Sequence, residues 1–89
     1  MLQPYLQVTF RHGRPIAAYY YLPRSTKQKS FRTEKLSCGM LVDYNRAGRA
    51  IGLEITAPAE ISLALVNRIL RRLGEQPLQK KELAPLLAA

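Results

Sequence analysis

The stretch from Met40 to Ile55 constrains the fold of this chain more than any other. It reads as an apolar strand, Met40-Leu41-Val42-Asp43-Tyr44, a turn, Asn45-Arg46-Ala47-Gly48, and a second strand, Arg49-Ala50-Ile51-Gly52-Leu53-Glu54-Ile55. With Tyr44 set against Arg49, Val42 meets Ile51 and Met40 meets Leu53, which gathers every large apolar residue except Leu41 on one side. A shift by one residue would set Asp43 against Ile51, so the pattern selects the first register. In that register Asp43 and Glu54 share a face, but Glu54 lies opposite Gly39, an offset along the strand of about 13 Å from Asp43. A hydrolytic carboxylate pair spans roughly 5–9.5 Å. A structural role is therefore expected for both acids, Asp43 beside the turn or an Arg, Glu54 on the solvent face.

The flanking segments fit around this hairpin. In Tyr5-Leu6-Gln7-Val8-Thr9-Phe10, Leu6, Val8 and Phe10 alternate with other residues at the period of a strand with one buried face, and Arg11-His12-Gly13-Arg14-Pro15 supplies a turn. Ile16 to Leu22 is apolar on both faces: Ile16, Ala18, Tyr20 and Leu22 on one, Ala17, Tyr19 and Tyr21 on the other. Either both faces are covered, or one displays an aromatic binding surface. Pro23 to Lys29 has no apolar residue between its ends and reads as a basic loop, and Phe31 to Leu36 is a polar strand suited to a sheet edge. A helix is predicted from Pro58 to Leu73, with Thr56 or Ala57 as N-cap, Pro early in the first turn, Glu60 near the positive end of the dipole, and Gly74 as terminator.

That helix has an apolar arc of about 200°, from Ile61 through Leu65, Ile69, Leu73, Val66, Leu70 and Leu63, twice the ~100° needed to lie on one sheet. Asn67, Arg68, Arg71 and Arg72 fill the remainder. The excess predicts a second contact surface, most simply another subunit. After Glu75-Gln76-Pro77 the tail, 75–89, carries Leu83, Leu86 and Leu87 around Pro85, and it is open to three outcomes: docking on the sheet, crossing to a partner, or fraying. The expectation is thus one α+β domain over 1–89, an antiparallel meander of four to five strands (1–56), a packed helix (57–74) and a short second helical segment.

At 89 residues the chain buries only about 60–65% of its unfolded surface, so its core is small. One Cys, Cys38, and one His, His12, provide neither an internal disulfide nor a Cys/His zinc site, and His12 between two Arg is expected to be a surface turn residue. Cys38 has no activating base near it in sequence, and Gly48 and Gly52 lack the strand–turn–helix setting of a phosphate loop. No cofactor, metal or catalytic residue is expected. The N-terminus lacks a signal-peptide pattern and no apolar run approaches the ~20 residues of a membrane span, which makes a soluble, cytoplasmic protein the expectation.

Net charge is +8, and it is unevenly spread: +6 over 1–35, −1 over 36–60 and +3 over 61–89. The basic character belongs to the two ends. Arg11, Arg14, Arg24, Lys27, Lys29, Arg32 and Lys35 accompany the first strands, and Arg68, Arg71 and Arg72 share one side of the helix. Cations beside Tyr19 and Tyr21 are what single-stranded nucleic acid recognition uses, but three consecutive Tyr cannot share a face, so Tyr20 packs the other way.

The succession from Ser37 to Ile55, in its wider setting of about Ser30 to Ile61, resembles the small bacterial family known only as domain of unknown function 2283. The matching positions are Gly39, Asp43, Tyr44, Gly48, Gly52, Glu54 and Ile55: a glycine-preceded apolar strand ending in Asp-Tyr, a turn closing on Gly, and a strand reading apolar-Gly-apolar-Glu-Ile. The family usually carries acidic residues in its first turn, where this chain has Arg11, His12, Gly13 and Arg14. The resemblance implies a small antiparallel meander with a helix, no assigned enzymatic activity, and an association with toxin–antitoxin-like operons, hence an antitoxin-like partner protein.

Together these readings predict a non-enzymatic, homo-oligomeric interaction module. Tyr19, Tyr21, Leu63, Val66 and Leu70 are the candidate self-association residues, in a homodimer or higher oligomer. Its basic surface would meet an acidic macromolecule, an acidic partner protein or a nucleic acid. The alternative is nucleic acid binding through Arg11, Arg14, Arg24, Lys27, Lys29, Arg32, Arg68, Arg71 and Arg72.

Overall fold

The computed structural model describes residues 3–23, 29–36 and 39–87. Five antiparallel strands form one sheet: β1 (Tyr5–Arg11), β2 (Arg14–Tyr21), β3 (Arg32–Leu36), β4 (Met40–Tyr44) and β5 (Ala50–Ile55). A short 3-10 turn, Pro58–Glu60, and two helices, α1 (Leu63–Arg72) and α2 (Lys80–Leu87), follow. The class is α+β, as the sequence predicts. The strand order is β1-β2-β5-β4-β3, so the sheet is not a meander in chain order. A hairpin (β1-β2) and a three-stranded meander (β3-β4-β5) are joined because β5, the most continuously apolar strand, takes the centre against β2. The polar β3 is left at one edge.

The β1-β2 hairpin closes through His12 (φ 53) and Gly13 (φ 76), two consecutive left-handed residues that match the right-handed twist of the strands they join. The sheet register differs from that predicted for the central hairpin. Val42 pairs with Leu53, Met40 with Ile55 and Asp43 with Gly52, while Tyr44 pairs with Ala50. Ile51 is the extra residue of a bulge between them. It is buried, yet it lies outside the cluster that holds Ala50, Leu53 and Ile55. The loop therefore closes one residue later than alternation alone indicates, and Asn45 explains why: its backbone N–H donates to the Arg49 carbonyl (2.9 Å) and its side-chain Oδ1 accepts from the Arg49 N–H (2.9 Å).

The helix begins later than predicted. Thr56 does not cap it but returns to the strand ends, where its N–H (2.8 Å) and Oγ1 (2.9 Å) both donate to the Gly39 carbonyl. After the 3-10 turn, Ile61 is extended and buried, and Ser62 becomes the N-cap, its hydroxyl accepting from the Leu65 N–H at 3.1 Å. Gly74 ends the helix with the paired bonds Gly74 N–H to Arg71 O and Glu75 N–H to Leu70 O.

The core lies between the helices and one face of the sheet: Ala18, Tyr20 and Leu22 from β2 and its end, Met40 and Val42 from β4, Leu53 and Ile55 from β5, Val66, Ile69 and Leu70 from α1. The tail joins the same cluster through Leu78, Leu83 and Leu86. Buried Asn67 locks it there, its amide donating to the Leu78 carbonyl (3.0 Å) and accepting from the Leu78 N–H (2.7 Å). This corrects an expectation. The centre of the wide apolar arc of α1 is covered within one chain: Val66 and Leu70 are both 0% exposed, so neither is available as a self-association surface. Leu63 is half-buried against the same cluster. Among the described residues, no helix is long and apolar enough to cross a membrane.

Candidate functional site

The uncovered face of the sheet holds Tyr5, Gln7 and Thr9 from β1, Tyr19 and Tyr21 from β2, Gly52 and Glu54 from β5, and Asp43 from β4, read from register and alternation. Here the tyrosines form a row. Tyr5 stacks on Tyr21 with ring centroids 4.5 Å apart, and Tyr21 meets Tyr19 edge-on at 4.6 Å. The Tyr21 hydroxyl donates to Gln7 Oε1 at 3.1 Å. Tyr19 lies across Gly52, where a Cβ would fall on its ring and hydroxyl, so only glycine leaves room. From there the Tyr19 hydroxyl reaches Asp43 Oδ2 at 2.8 Å.

Asp43 is the hub of this face. Its Oδ1 accepts from Thr33 (2.6 Å) and Ser30 (3.2 Å), so its two oxygens serve three hydroxyls brought from β2, β3 and the segment before β3. Burial, then the hydrogen bond to Asp43 and its negative charge, hold the Tyr19 hydroxyl protonated well above the ordinary tyrosine range. The observed register also moves Glu54 to pair with Leu41, so its offset from Asp43 is about 7 Å along the strand rather than ~13 Å, and the separation expected to exclude a carboxylate pair does not hold. The hydroxyls that occupy Asp43 make it an acceptor that ties strands together. Tyr20 packs on the opposite face, buried in the core, and its hydroxyl is likewise raised by desolvation.

Cations collect at one end of the sheet, around the 45–49 turn. Phe31 is fixed there by its N–H to the Tyr44 carbonyl (2.8 Å), yet it is 57% exposed. The Arg46 guanidinium lies over its ring, 4.6 Å from the centroid. Beside it, Arg32 lies 4.1 Å over the Tyr44 ring. Lys29, Ser30, Phe31, Asn45, Arg46 and Ala47 line an open depression of about 510 Å³. A second, of about 320 Å³, is lined by Tyr44, Arg49 and Arg72 with Glu75 as its acid. The Tyr44 hydroxyl donates to Glu34 (2.9 Å), and burial followed by that bond raises its pKa despite Arg32 and Arg72 nearby.

The predicted basic residues are thus not one surface. Lys29 lies at this end beside Arg46, and Arg32 and Arg72 lie about Tyr44 with Arg49; Arg46 and Arg49 are residues that segment charge assigns to a neutral middle. Arg11 and Arg14 pair with each other across the tip of the β1-β2 hairpin. Arg68 and Arg71 are exposed on α1. Arg24, Lys27 and Cys38 lie outside the described residues. Of the family-like positions, Gly39 closes the β3-β4 connection, Asp43, Gly52 and Glu54 belong to the uncovered face, Tyr44 and Gly48 to the cationic end, and Ile55 to the core. Sequence reasoning misses Phe31, Arg46 and Arg49. Their signal is the Asn45–Arg49 turn itself, which has to be laid beside the start of β3 before its charge means anything. Among the described residues no group of three or more His, Cys, Asp or Glu is placed to hold a metal ion. No family model, curated protein or solved structure matches the chain.

Proposed function

We propose that this chain is a non-enzymatic binding module that meets an acidic macromolecule with the 45–49 end of its sheet. The observation that carries the reading is a pair of cation groups at that end, Lys29 and Arg46 about the Phe31 ring and Arg32, Arg49 and Arg72 about the Tyr44 ring. Cations gathered at one end raise the local potential more than the same number scattered over a surface. The family resemblance, with no enzymatic activity implied, agrees with it. The test compares two charge reversals of equal size: Arg46→Glu/Arg49→Glu and Arg11→Glu/Arg14→Glu, measured by the salt at which each variant leaves a heparin column. The reading expects the first pair to elute at clearly lower salt than the second. Equal elution would reduce the effect to net charge and remove the site.

A second reading, self-association, has its own observation. The β1-β2 hairpin extends past the end of β5, whose ladder with β2 covers Ala18–Tyr21, so among the described residues no strand pairs with β2 on that side from Arg14 to Ala17, although the Pro58–Glu60 turn packs against β2. Phe10 is 53% and Ile16 45% exposed on this arm. An open edge with apolar side chains is a surface on which a second copy can add. A sedimentation mass of 10.1 kDa at high concentration would refute it, since that is the mass of one chain.

A further inference from the structure

We infer that the acidic macromolecule is a single-stranded nucleic acid, with an unpaired base stacked on Phe31 and its backbone phosphates held by Lys29, Arg46 and Arg49. The inference rests on the reading of the 45–49 end as an anion-binding surface and adds to it a ligand class. A surface that only had to attract negative charge has no use for an exposed phenyl ring. Here the residue is held in the open by a backbone hydrogen bond at 2.8 Å and stays 57% exposed. Aromatic faces beside cations are the elements by which unpaired bases are bound, because every base has a face to stack and every linkage a charge.

The details fit that chemistry. Arg46 stands over one face of the Phe31 ring at 4.6 Å, which leaves a base the opposite face of the ring with a cation close by. The depression they line, about 510 Å³, is open to solvent and bordered by Lys29 and Ser30. Asp43, the carboxylate that Ser30 reaches from this lining, already accepts from Ser30, Thr33 and Tyr19. Glu34 is engaged by the Tyr44 hydroxyl, and Glu75 lies in the second depression with Arg49 and Arg72. A duplex would offer this ring no base face, whereas a flexible strand can turn one base onto it. An acidic protein segment would use the cations and leave the ring idle, which is the outcome that separates it.

The test is fluorescence anisotropy with labelled oligo(dT) and oligo(U), with a duplex of the same length and heparin as reference polyanions. The oligonucleotides should bind more tightly than the duplex at equal salt. Phe31→Ala should weaken them by about 5- to 150-fold, the range for one stacked base, while heparin elution stays unchanged. Phe31→Tyr, which keeps the ring, should restore binding. Arg46→Ala/Arg49→Ala should flatten the salt dependence by about 1.4 in log K per log salt, or roughly 0.7 for each phosphate that is no longer neutralised. If heparin binds but Phe31→Ala leaves oligonucleotide affinity within about twofold, or the duplex binds as well as the single strands, the nucleic acid inference falls and anion binding at this end stands. If neither heparin nor oligonucleotide binds at low salt, both fall. Preference between oligo(dT) and oligo(U) tells whether the strand is DNA or RNA.

Discussion

The two faces of the sheet are held by different physics. On the covered face, Met40, Val42, Leu53 and Ile55 are 0–1% exposed and pack on α1 and the tail, so order comes from burial. On the uncovered face, Tyr19, Ser30 and Thr33 converge on one carboxylate, so order comes from hydrogen bonds that cross the strands. Burial tolerates approximate placement; a hydroxyl at 2.6–2.8 Å from an oxygen does not. The covered face should therefore dominate stability, and the uncovered face should govern register and the placement of Ser30 and Phe31.

The most damaging way to probe this difference is to empty the covered face. Leu83→Ala, at a tail residue with no exposure, should cost about 2–5 kcal/mol in urea unfolding through forfeited transfer energy and the cavity left behind. A cost below about 1 kcal/mol would mean that the tail is not part of this core. Asn67→Ala comes next. It strands both the N–H and the carbonyl of buried Leu78, and about 2–4 kcal/mol is expected, with earlier proteolysis of the tail than of the sheet.

How far these features are legible in the sequence follows the same division. The period-2 pattern of β1 as far as Val8, the apolar β5 and the polar β3 read correctly because such patterns report burial, a property each residue carries alone, whereas Phe10, predicted on the buried face, lies past the irregularity after Thr9 and is 53% exposed. The register of β4 against β5 escapes such reading because Asn45, through its side chain, sets the loop length, and apolar patterning is blind to that bond. The partner of α1 escapes it for a related reason. The arc of about 200° correctly indicates a second contact surface, but nothing local distinguishes a second subunit from the chain's own Leu78, Leu83 and Leu86. The cationic end is illegible in segment charges since it joins residues 29–32, 46–49 and 72, which the β3-β4 pairing and the placement of α1 bring to the same end.

On the uncovered face, Gly52→Ala should cost about 1–3 kcal/mol, because its Cβ enters the space of the Tyr19 ring. Removing the ring should rescue it. In the Tyr19→Ala background the same substitution should be nearly neutral, a coupling that a double-mutant cycle reads directly. Additive effects of the two changes would show that Gly52 is required for the bulge rather than for Tyr19.

The smallest effect at neutral pH, and the most specific, belongs to the Tyr19 hydroxyl. Tyr19→Phe removes one of three donors to Asp43 and should cost about 0.5–1.5 kcal/mol at pH 7. The cost should then depend on pH in a fixed direction. In the unfolded chain the hydroxyl ionises near pH 10, whereas in the folded protein burial and the Asp43 carboxylate keep it protonated well beyond that. Above about pH 10 the unfolded state releases a proton that the folded state retains, so the wild type loses stability as pH rises. The Phe variant lacks this group and escapes that part of the loss. The gap between the two proteins should be full below about pH 9 and close progressively above about pH 10. A gap that stays constant through this range would mean that Asp43 does not hold the proton on Tyr19, and the hydrogen-bonded order assigned to the uncovered face would lose its central link.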